Sequence, residues 1–307
     1  MQDEPMSIKC DKCKHDSIIY QRYSGMHLCR KHFMEDVERK IKLTIRKHYP
    51  VKKNETIAVA VSGGKDSSVL LYMLHKILGA RPDIRLIALS VDEGIAGYRH
   101  NTLEQAKGLT SRLGVEHIIL SFREEYDRTM DEIASWDREK GTCSYCGVLR
   151  KSILNRKALE LGATKLAIGH NLDDEAQTIM LNHLKGDVAR MVRLVPPCEL
   201  EGLVLRMKPL RYIPEKEVAM YAYLNGLPLS TGACPYAHEA MRGEVREMLD
   251  DFEDKHPGTK YALLSGFDKI ADVLAREMPI AKLANCRICG QACSGELCQA
   301  CKLLGKV

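Results

Sequence analysis

Apolar residues in the middle of the chain form short runs that are separated by longer stretches with helical spacing. Four runs rich in aliphatic and β-branched residues predict strands at Ile57–Val61, Arg85–Val91, Glu116–Leu120 and Lys165–Gly169. Between these runs, apolar residues recur every three or four positions. The alternation predicts an α/β fold with a parallel sheet, helices on both faces, and ligands at the carboxyl ends of the strands.

Amphipathic patterns predict further helices outside this region, at Glu35–Tyr49, Glu239–Phe252 and Tyr261–Leu274. The two ends of the chain carry too few apolar residues for a core of their own. We therefore expect three units. These are a short module over residues 1–35, the α/β domain with a helical extension over residues 36–280, and a second short module over residues 281–307.

The first predicted strand runs through two glycines into a helix, in the order Ser62-Gly63-Gly64-Lys65-Asp66-Ser67. Glycines let the backbone approach a ligand, and the first N–H groups of a helix have no internal partner and favour negative charge. The segment therefore predicts a phosphate site, with an ordinary glycine turn as the structural alternative. It differs from a Walker A loop, in which Ser or Thr follows the lysine. It resembles the pyrophosphatase loop (PP-loop) of ATP pyrophosphatases, which transfer AMP to an oxygen atom.

A second polar segment follows the fourth predicted strand and reads Gly169-His170-Asn171-Leu172-Asp173-Asp174. Asp173 and Asp174 fall where a helix begins, and capping of the helix accounts for one of them. Two adjacent carboxylates beside a phosphate loop also suit Mg²⁺, which prefers carboxylates together with phosphate oxygens. The segment at Ser90, after the second strand, reaches the same edge of the sheet, where its backbone could hold an adenine.

Twelve cysteines are many for a chain of 307 residues. In a reducing compartment they indicate metal ligands before disulfides. At each end of the chain, two close pairs separated by a loop have the spacing of a tetrahedral zinc site. The two predicted ligand sets are Cys10, Cys13, Cys29 and His32, and Cys286, Cys289, Cys298 and Cys301. Zinc would supply the folding energy that these short modules lack.

Three further cysteines lie in the α/β domain. Cys143 and Cys146 precede a basic helix, and no second pair follows them in the domain, so a closed four-cysteine zinc site is not available locally. Cys234, in a Cys-Pro loop, is the third candidate. Three interpretations remain open: a redox trio that carries a persulfide, a [4Fe-4S] cluster with one open iron, or inert thiols. Cys198 and Cys293 have no partner pattern.

Composition adds little to this picture. The formal net charge of +5 and the isoelectric point near 8.5 are mildly basic, which permits a nucleic-acid partner without requiring one. The hydrophobic content of 45% is ordinary for a globular protein. No apolar run has membrane-spanning length, and the polar N-terminus is unlike a signal peptide. We therefore expect a cytoplasmic protein without a membrane partner.

In combination, the motifs resemble those of the TtuA/NcsA-type tRNA 2-thiouridine synthetases, which are related to the eukaryotic cytosolic wobble-uridine thiolation enzyme. The resemblance covers nearly the whole chain, because it includes both terminal metal motifs, the Ser62–Ser67 loop, the Gly169–Asp174 segment and the three central cysteines. It implies a PP-loop domain of the adenine nucleotide α-hydrolase type, flanked by two small zinc modules.

For the site, the resemblance implies that Cys143, Cys146 and Cys234 hold a [4Fe-4S] cluster and act in catalysis together with Asp66 and Asp174. The expected nucleotide contacts are Ala60, Ser62, Gly63, Gly64, Lys65, Asp66, Ser67, Ser90, Arg150, Gly169 and Asp173. Some members carry a catalytic lysine where this chain has Arg150, followed by Lys151. Arginine does not readily release a proton, so we expect Arg150 to contact ATP or RNA.

The implied reaction is 2-thiolation of a tRNA uridine. ATP with Mg²⁺ adenylates the C2 oxygen, sulfur attacks C2, and AMP leaves. Position 34 is favoured, and position 54 of the T loop is the alternative. The expected donor is sulfide or a ubiquitin-like thiocarboxylate carrier, and the resemblance implies a homodimer.

Two other classes compete with this interpretation. A PP-loop ligase with a nitrogen donor would not need the three central cysteines. A zinc-containing RNA-binding protein without catalysis would not need an intact phosphate loop and a pair of aspartates.

Overall fold

The structure, a computed structural model, describes residues 8–136, 141–192, 194, 200–229, 232, 234–236, 241–278 and 283–305. Its first element is an antiparallel hairpin of two short strands, β1 (Ile19–Gln21) and β2 (Met26–Leu28). Helix α1 (Arg30–His48) follows and buries Phe33, Val37 and Ile41. The helix predicted over Glu35–Tyr49 is therefore present, and it begins earlier than predicted.

A five-stranded parallel sheet forms the centre of the fold. Its strands are β3 (Glu55–Ala60), β4 (Ile84–Asp92), β5 (Glu116–Ser121), β6 (Lys165–Ala167) and β7 (Leu205–Met207), in the spatial order β5-β4-β3-β6-β7. The chain starts in the middle, builds one edge, and then returns to build the other, so the order reverses between β3 and β6. Ligands of open α/β sheets bind at this reversal, outside the carboxyl ends of the strands.

Helices connect the strands and cover both faces of the sheet. They are α2 (Lys65–Leu78), α3 (Arg99–Leu113), α4 (Phe122–Tyr126), α5 (Met130–Ala134), α6 (Thr142–Glu160), α7 (Leu172–Leu184), α8 (Val188–Val192) and α9 (Glu215–Leu224). Ile57 and Val59 of β3 pack in an apolar cluster with α1, α2 and α9, whereas Ala58 packs on the opposite face with α5 and α6. Burial on both faces explains why the strands are nearly continuous apolar runs.

Two long helices extend the domain beyond the sheet. These helices, α10 (Arg242–Lys255) and α11 (Thr259–Glu277), pack on α7. Leu264 and Phe267 of α11 meet Leu172 and Ile179 of α7 in a buried cluster. Both helices were predicted; the first residues of the predicted Glu239–Phe252 helix lie outside the described part of the chain.

A small module follows at the C-terminus. It consists of the hairpin β8 (Ala284–Asn285) and β9 (Ala292–Cys293) and the helix α12 (Gln299–Leu303), which packs against α6. Cys286, Cys298 and Cys301 of this module are part of the apolar cluster under α6. The C-terminal module and α6 therefore share a core.

The predicted parallel sheet is confirmed, and all four predicted strands are present with shifted ends. The predicted Lys165–Gly169 strand, for example, ends at Ala167. The fifth strand, β7, was missed because it has three residues and carries the exposed Arg206 in its middle. No helix in the described ranges combines the length and apolar composition needed to cross a membrane. The division into three units stays a prediction.

Candidate active site

The loop after β3 forms a cradle at the N-terminus of α2. The Ser62 backbone N–H donates to Ser67 Oγ (3.1 Å), and the Ser67 hydroxyl donates to the Gly64 carbonyl (3.0 Å). Gly64 is the N-cap residue of α2, and no described side chain caps the helix there. The first N–H groups of α2 therefore remain available to an anion. This is the geometry that a phosphate site requires.

Two glycines allow the loops of the cleft to pack closely. Gly63 has a φ angle of +86°, and a Cβ atom there would lie 1.8 Å from the Thr102 carbonyl oxygen. A Cβ on Gly169, after β6, would lie 3.1 Å from backbone atoms of both Asp66 and Ser67. The segment after β6 thus packs directly on the phosphate cradle, and both motifs face one cleft.

Asn171 connects the two aspartates predicted to be catalytic. Its side-chain N–H donates to Asp66 Oδ1 (2.9 Å), and its backbone N–H donates to Asp174 Oδ2 (3.2 Å). Asn171, not an aspartate, is the N-cap of α7, and it forms a capping box with Asp174. Burial raises the pKa of the Asp174 carboxyl, and the nearby Asp66 carboxylate adds to this shift. Two carboxylates with different environments therefore lie next to the cradle.

Asp173 has different surroundings from Asp174. Its buried carboxylate accepts from the Glu215 backbone N–H (2.6 Å) and pairs with Lys260 (2.5 Å), which also pairs with Asp250. Both oxygens of Asp173 are thus engaged in joining α7 to α9 and α11. A contact of Asp173 with the nucleotide stays a prediction, and the geometry favours Asp174 for that position.

Charged residues that sequence reasoning missed close one side of the cleft. Lys65 of the cradle pairs with Asp66 (3.0 Å) and with Glu215 at the start of α9 (2.7 Å). The other oxygen of Glu215 pairs with Arg246 of α10 (2.9 Å). Although partial burial opposes it, the two carboxylates raise the pKa of Lys65. Because these contacts join positions far apart in the chain, no local pattern could have predicted them.

Ser90 lies in β4, beside the cradle. Its buried hydroxyl donates to the Val61 carbonyl (2.5 Å), so the hydroxyl is engaged within the sheet. The adenine contact that we expected from the backbone of this segment stays a prediction. Arg99, which sequence reasoning also missed, is buried nearby and donates to the carbonyls of Val91 (2.6 Å) and Ser62 (2.7 Å). Arg99 thereby holds the backbone of the cradle at Ser62 in place.

The three central cysteines gather at the start of α6. Cys146 and Cys234 pack against the same apolar cluster, and the Cys143 thiol donates to the carbonyl of Tyr236 (3.4 Å), close to Cys234 in the chain. Burial raises the pKa of the Cys146 thiol to about 11, with Arg150 opposing the shift. The three sulfurs do not form one of the ligand sets that fit within 4.8 Å, as a single ion requires. This spacing favours a larger metal group or separate thiols.

One cation, Arg150, contacts these cysteines, and further cations lie around Lys151, the next residue of α6. Arg150 donates to Cys146 Sγ (3.4 Å) and pairs with Glu93 (3.5 Å), the residue directly after β4. The side chain of Lys151 reaches solvent, yet desolvation by the protein around it lowers its pKa to about 8, and the nearby Arg206 and Lys208 add to this shift. Among the described side chains, neither Lys151 nor Arg206 has an ion-pair partner. The region therefore suits an anionic ligand.

The structure brings together the four predicted ligands of the N-terminal module. Cys10, Cys13, Cys29 and His32 place their ligand atoms within 4.8 Å of one another. His32 Nδ1 lies 3.3 Å from Cys10 Sγ and 3.5 Å from Cys29 Sγ. Such a set suits one tetrahedral Zn²⁺. The module packs on α1 and on the main core through Leu28 and Cys29.

The C-terminal ligands also come together. Cys286, Cys289, Cys298 and Cys301 form a second set within 4.8 Å. The backbone N–H groups of Cys298 and Cys289 lower the pKa of Cys286 to about 6, which favours the thiolate that binds zinc. Cys293 lies outside the set, and its thiol donates to the Gly295 carbonyl (2.8 Å). Cys198 lies outside the described residues.

Two family models match this chain. The PP-loop domain model matches residues 33–250, and the model of the N-terminal LIM domain of the 2-thiouridine synthetase TtuA matches residues 9–34. LIM domains are zinc modules, which agrees with the N-terminal ligand set. Fold and site thus define a PP-loop protein with a zinc-binding N-terminal module.

Relatives of nearly the same length narrow this class. The chain is 37% identical to the tRNA 2-thiolation protein NcsA of Haloferax volcanii, over 98% of this chain and 99% of the relative. It is 36% identical to the cytoplasmic tRNA 2-thiolation protein 1 of Danio rerio, over 97% and 88%. It also matches the structure of the U34-tRNA thiolase NcsA from Methanococcus maripaludis with its [4Fe-4S] cluster (TM-score 0.86, 35% identity, 99% and 97% coverage). The chain belongs to the PP-loop family of tRNA 2-thiolation proteins.

Proposed function

We propose that this protein is an ATP-dependent sulfurtransferase that converts a tRNA uridine to 2-thiouridine. The observation that carries the proposal is the placement of a phosphate cradle, two carboxylates and three thiols at one edge of one sheet. The family relationship at 36–37% identity over nearly the full length supports it. The wobble position, 34, is the proposed target, because the solved relative is a U34-tRNA thiolase.

ATP binds with its phosphates in the cradle between Ser62 and Ser67. The free N–H groups at the start of α2 and the Lys65 ammonium stabilise the charge that moves onto the leaving pyrophosphate. Lys65 then exchanges its Glu215 partner for phosphate oxygens. Gly63 and Gly169 let the neighbouring backbone pack closely around the cradle.

The two carboxylates that accept hydrogen bonds from Asn171 would bind the metal ion, and one of them can accept a proton. Asp174 and Asp66 are the residues that would hold Mg²⁺ against the phosphates, where the ion neutralises their charge. When the C2 oxygen of uridine attacks the α-phosphorus, pyrophosphate leaves and the N3 proton of the base is released. Asp174 is the carboxylate that can accept that proton, because it lies beside the cradle and, unlike Asp66, does not pair with Lys65. The adenylated oxygen is then a leaving group.

Cys143, Cys146 and Cys234 are the residues that would hold a [4Fe-4S] cluster. Thiolates are the usual ligands of such clusters, and a cluster held by three of them would supply an iron to which sulfide can bind. A cluster of four irons is larger than a single ion, which fits three sulfurs that do not share a 4.8 Å site. Arg150 lies beside Cys146 and offers a positive charge to the anionic ligand set.

The substrate RNA approaches over the cationic surface formed by Lys151 and Arg206. Lys151 and Arg206 lack carboxylate partners among the described side chains and suit the phosphates that flank the target nucleotide. The uridine leaves its stack to enter the cleft, at a cost of a few kcal/mol. The proposed sulfur donor is sulfide or a thiocarboxylate carrier protein, and the proposed assembly is a homodimer. The proposed location is the cytoplasm, because the relative from Danio rerio is named a cytoplasmic protein.

Nucleoside mass spectrometry tests the proposal. Anaerobic protein with reconstituted cluster, ATP, Mg²⁺, sulfide and unmodified tRNA should yield 2-thiouridine, and fragment mapping should place it at position 34. Replacing Cys143, Cys146 or Cys234 with Ala should lower the yield at least a hundredfold, while each variant should still bind ATP as the cluster-free unmodified protein does, because the thiols lie outside the cradle.

The matched control is Cys293→Ala, which removes a thiol that belongs to neither ligand set and should leave the yield unchanged. Full activity in the Cys146→Ala variant would contradict the cluster assignment. Thiouridine at position 54 alone would contradict the proposed target. ATP consumption without thionucleoside, even with a thiocarboxylate carrier present, would contradict the function itself.

A further inference from the structure

A continuous chain of polar contacts runs from a central cysteine to the phosphate cradle. Cys146 Sγ accepts from Arg150 (3.4 Å), and Arg150 pairs with Glu93 (3.5 Å). The second oxygen of Glu93 pairs with Arg99 (2.8 Å), and Arg99 donates to the Ser62 carbonyl (2.7 Å). Every step is a direct contact between named atoms.

Glu93 is the centre of this chain, and its surroundings hold it rigidly. The side chain is 5% exposed, and that of Arg99 is 6% exposed. The Glu93 carbonyl accepts from the Met130 backbone N–H (2.7 Å), which fixes the segment after β4. One buried carboxylate therefore serves two arginines, one on each side. Any shift of one arginine changes how strongly the carboxylate holds the other.

We propose that Glu93 is a positioning residue that couples the sulfur site to the ATP site. The inference rests on the proposed assignment of Cys146 as a cluster ligand. An anionic cluster draws Arg150 towards Cys146. Glu93 then pairs more fully with Arg99, and Arg99 holds the Ser62 carbonyl and the cradle in their binding geometry.

This coupling would limit hydrolysis of the adenylated uridine. The adenylated uridine is useful only when sulfur is ready to attack the same carbon, and otherwise water can hydrolyse it. A protein whose cradle binds ATP more tightly when the cluster is present limits that loss. By linkage, the same free energy makes bound ATP stabilise the loaded sulfur site.

The test compares ATP affinity with and without the cluster, in the absence of tRNA. Binding of a non-hydrolysable ATP analogue is titrated anaerobically on full-length protein, with iron content and the visible spectrum reporting cluster loading. In the unmodified protein, the loaded form should bind the analogue about fivefold or more tightly than the cluster-free form. In Glu93→Gln this ratio should fall to about one.

The matched control is Glu55→Gln. Glu55 forms a similarly buried ion pair with Lys165 (2.6 Å), but it lies at the start of β3, away from the carboxyl ends of the strands. Both substitutions leave a buried cation without its partner and should lower thermal stability. Only Glu93→Gln should remove the coupling. A merely structural role of Glu93 would affect the two variants alike.

A second variant covers the case in which Glu93→Gln does not fold. Arg150 is 43% exposed, so Arg150→Gln breaks the same chain at its outer end with less strain on the core. It should also reduce the affinity ratio to about one. The proposal is overturned if the unmodified protein binds the analogue equally well with and without the cluster. It is also overturned if Arg150→Gln or Glu93→Gln keeps the affinity difference, or if Glu55→Gln loses it. Because no tRNA is present, these outcomes do not depend on whether thiolation occurs.

Discussion

At the scale of single residues, Gly63 determines whether the phosphate cradle can form. Its φ angle of +86° lies in a region that side chains disfavour, and its missing Cβ leaves room for the Thr102 carbonyl. The strand–glycine–helix pattern predicted glycines that let the backbone approach a ligand, and the structure adds a close approach to another part of the protein. The partner in that approach, a carbonyl of α3, could not be predicted, because it comes from a distant part of the chain.

Gly63→Ala should therefore weaken ATP binding at least tenfold, because the new methyl group and Thr102 must move apart and distort the cradle. Gly114→Ala is the control. Gly114 also has a positive φ (+65°), but no atom lies within 4 Å of the added Cβ. It should cost about 1–2 kcal/mol of stability through backbone strain and leave ATP affinity unchanged. Equal ATP affinity in the two variants, measured by titration, would show that the close approach is unimportant.

The sequence predicted only part of the roles of the two adjacent aspartates. The sequence indicated that capping accounts for one of them, and the structure gives the N-cap to Asn171 and a capping-box role to Asp174. Asp173 turned out to join three helices through Lys260 and Glu215. Neighbouring positions on a helix point in different directions, but only the packing of α9 and α11 decides which one faces the cleft.

At the scale of elements, the terminal modules depend on their metal ligands for order. The C-terminal module contains two strands of two residues and one short helix, which cannot form a core alone. Three of its four ligand cysteines, Cys286, Cys298 and Cys301, belong to the apolar cluster that includes α6. Structural zinc supplies on the order of 10 kcal/mol to modules of this kind, so its loss should affect α6 as well.

Cys286→Ser should accordingly lose one of two bound zinc ions, lower the melting temperature by several degrees and expose residues 283–305 to proteolysis. Cys293→Ser, in the same module but outside the ligand set, should keep both ions and the normal melting temperature. Zinc analysis and thermal unfolding measure these effects. A Cys286→Ser variant with two zinc ions and unchanged stability would contradict the role of this module.

Element prediction worked where an apolar run was unbroken or long, and it failed where a charged residue interrupted a short run. β3 to β6 and helices α1, α10 and α11 followed from apolar periodicity. β7 did not, because the exposed Arg206 interrupts its three residues and leaves no apolar run. Its position still matters for function, since Arg206 on β7 lies beside Lys151 of α6.

At the scale of the whole molecule, function depends on two loops that the sheet brings together. The Ser62–Ser67 and Gly169–Asp174 segments are a hundred residues apart in the chain, yet β3 and β6 are neighbours in the sheet. The parallel α/β pattern predicted this meeting at the carboxyl edge. The ion pairs that complete the cleft, such as Lys65 with Glu215, depend on packing between distant helices and required the structure.

The central claim is that ATP activates the C2 oxygen of the target uridine by adenylation. An isotope experiment tests it most directly. A tRNA whose target uridine carries ¹⁸O at C2 is thiolated in ordinary water, and the AMP released is analysed by mass spectrometry. If the uridine oxygen attacks the α-phosphorus, it leaves with AMP, and each AMP should contain one ¹⁸O atom. AMP without ¹⁸O, with thiouridine formed in the same reaction, would contradict the account.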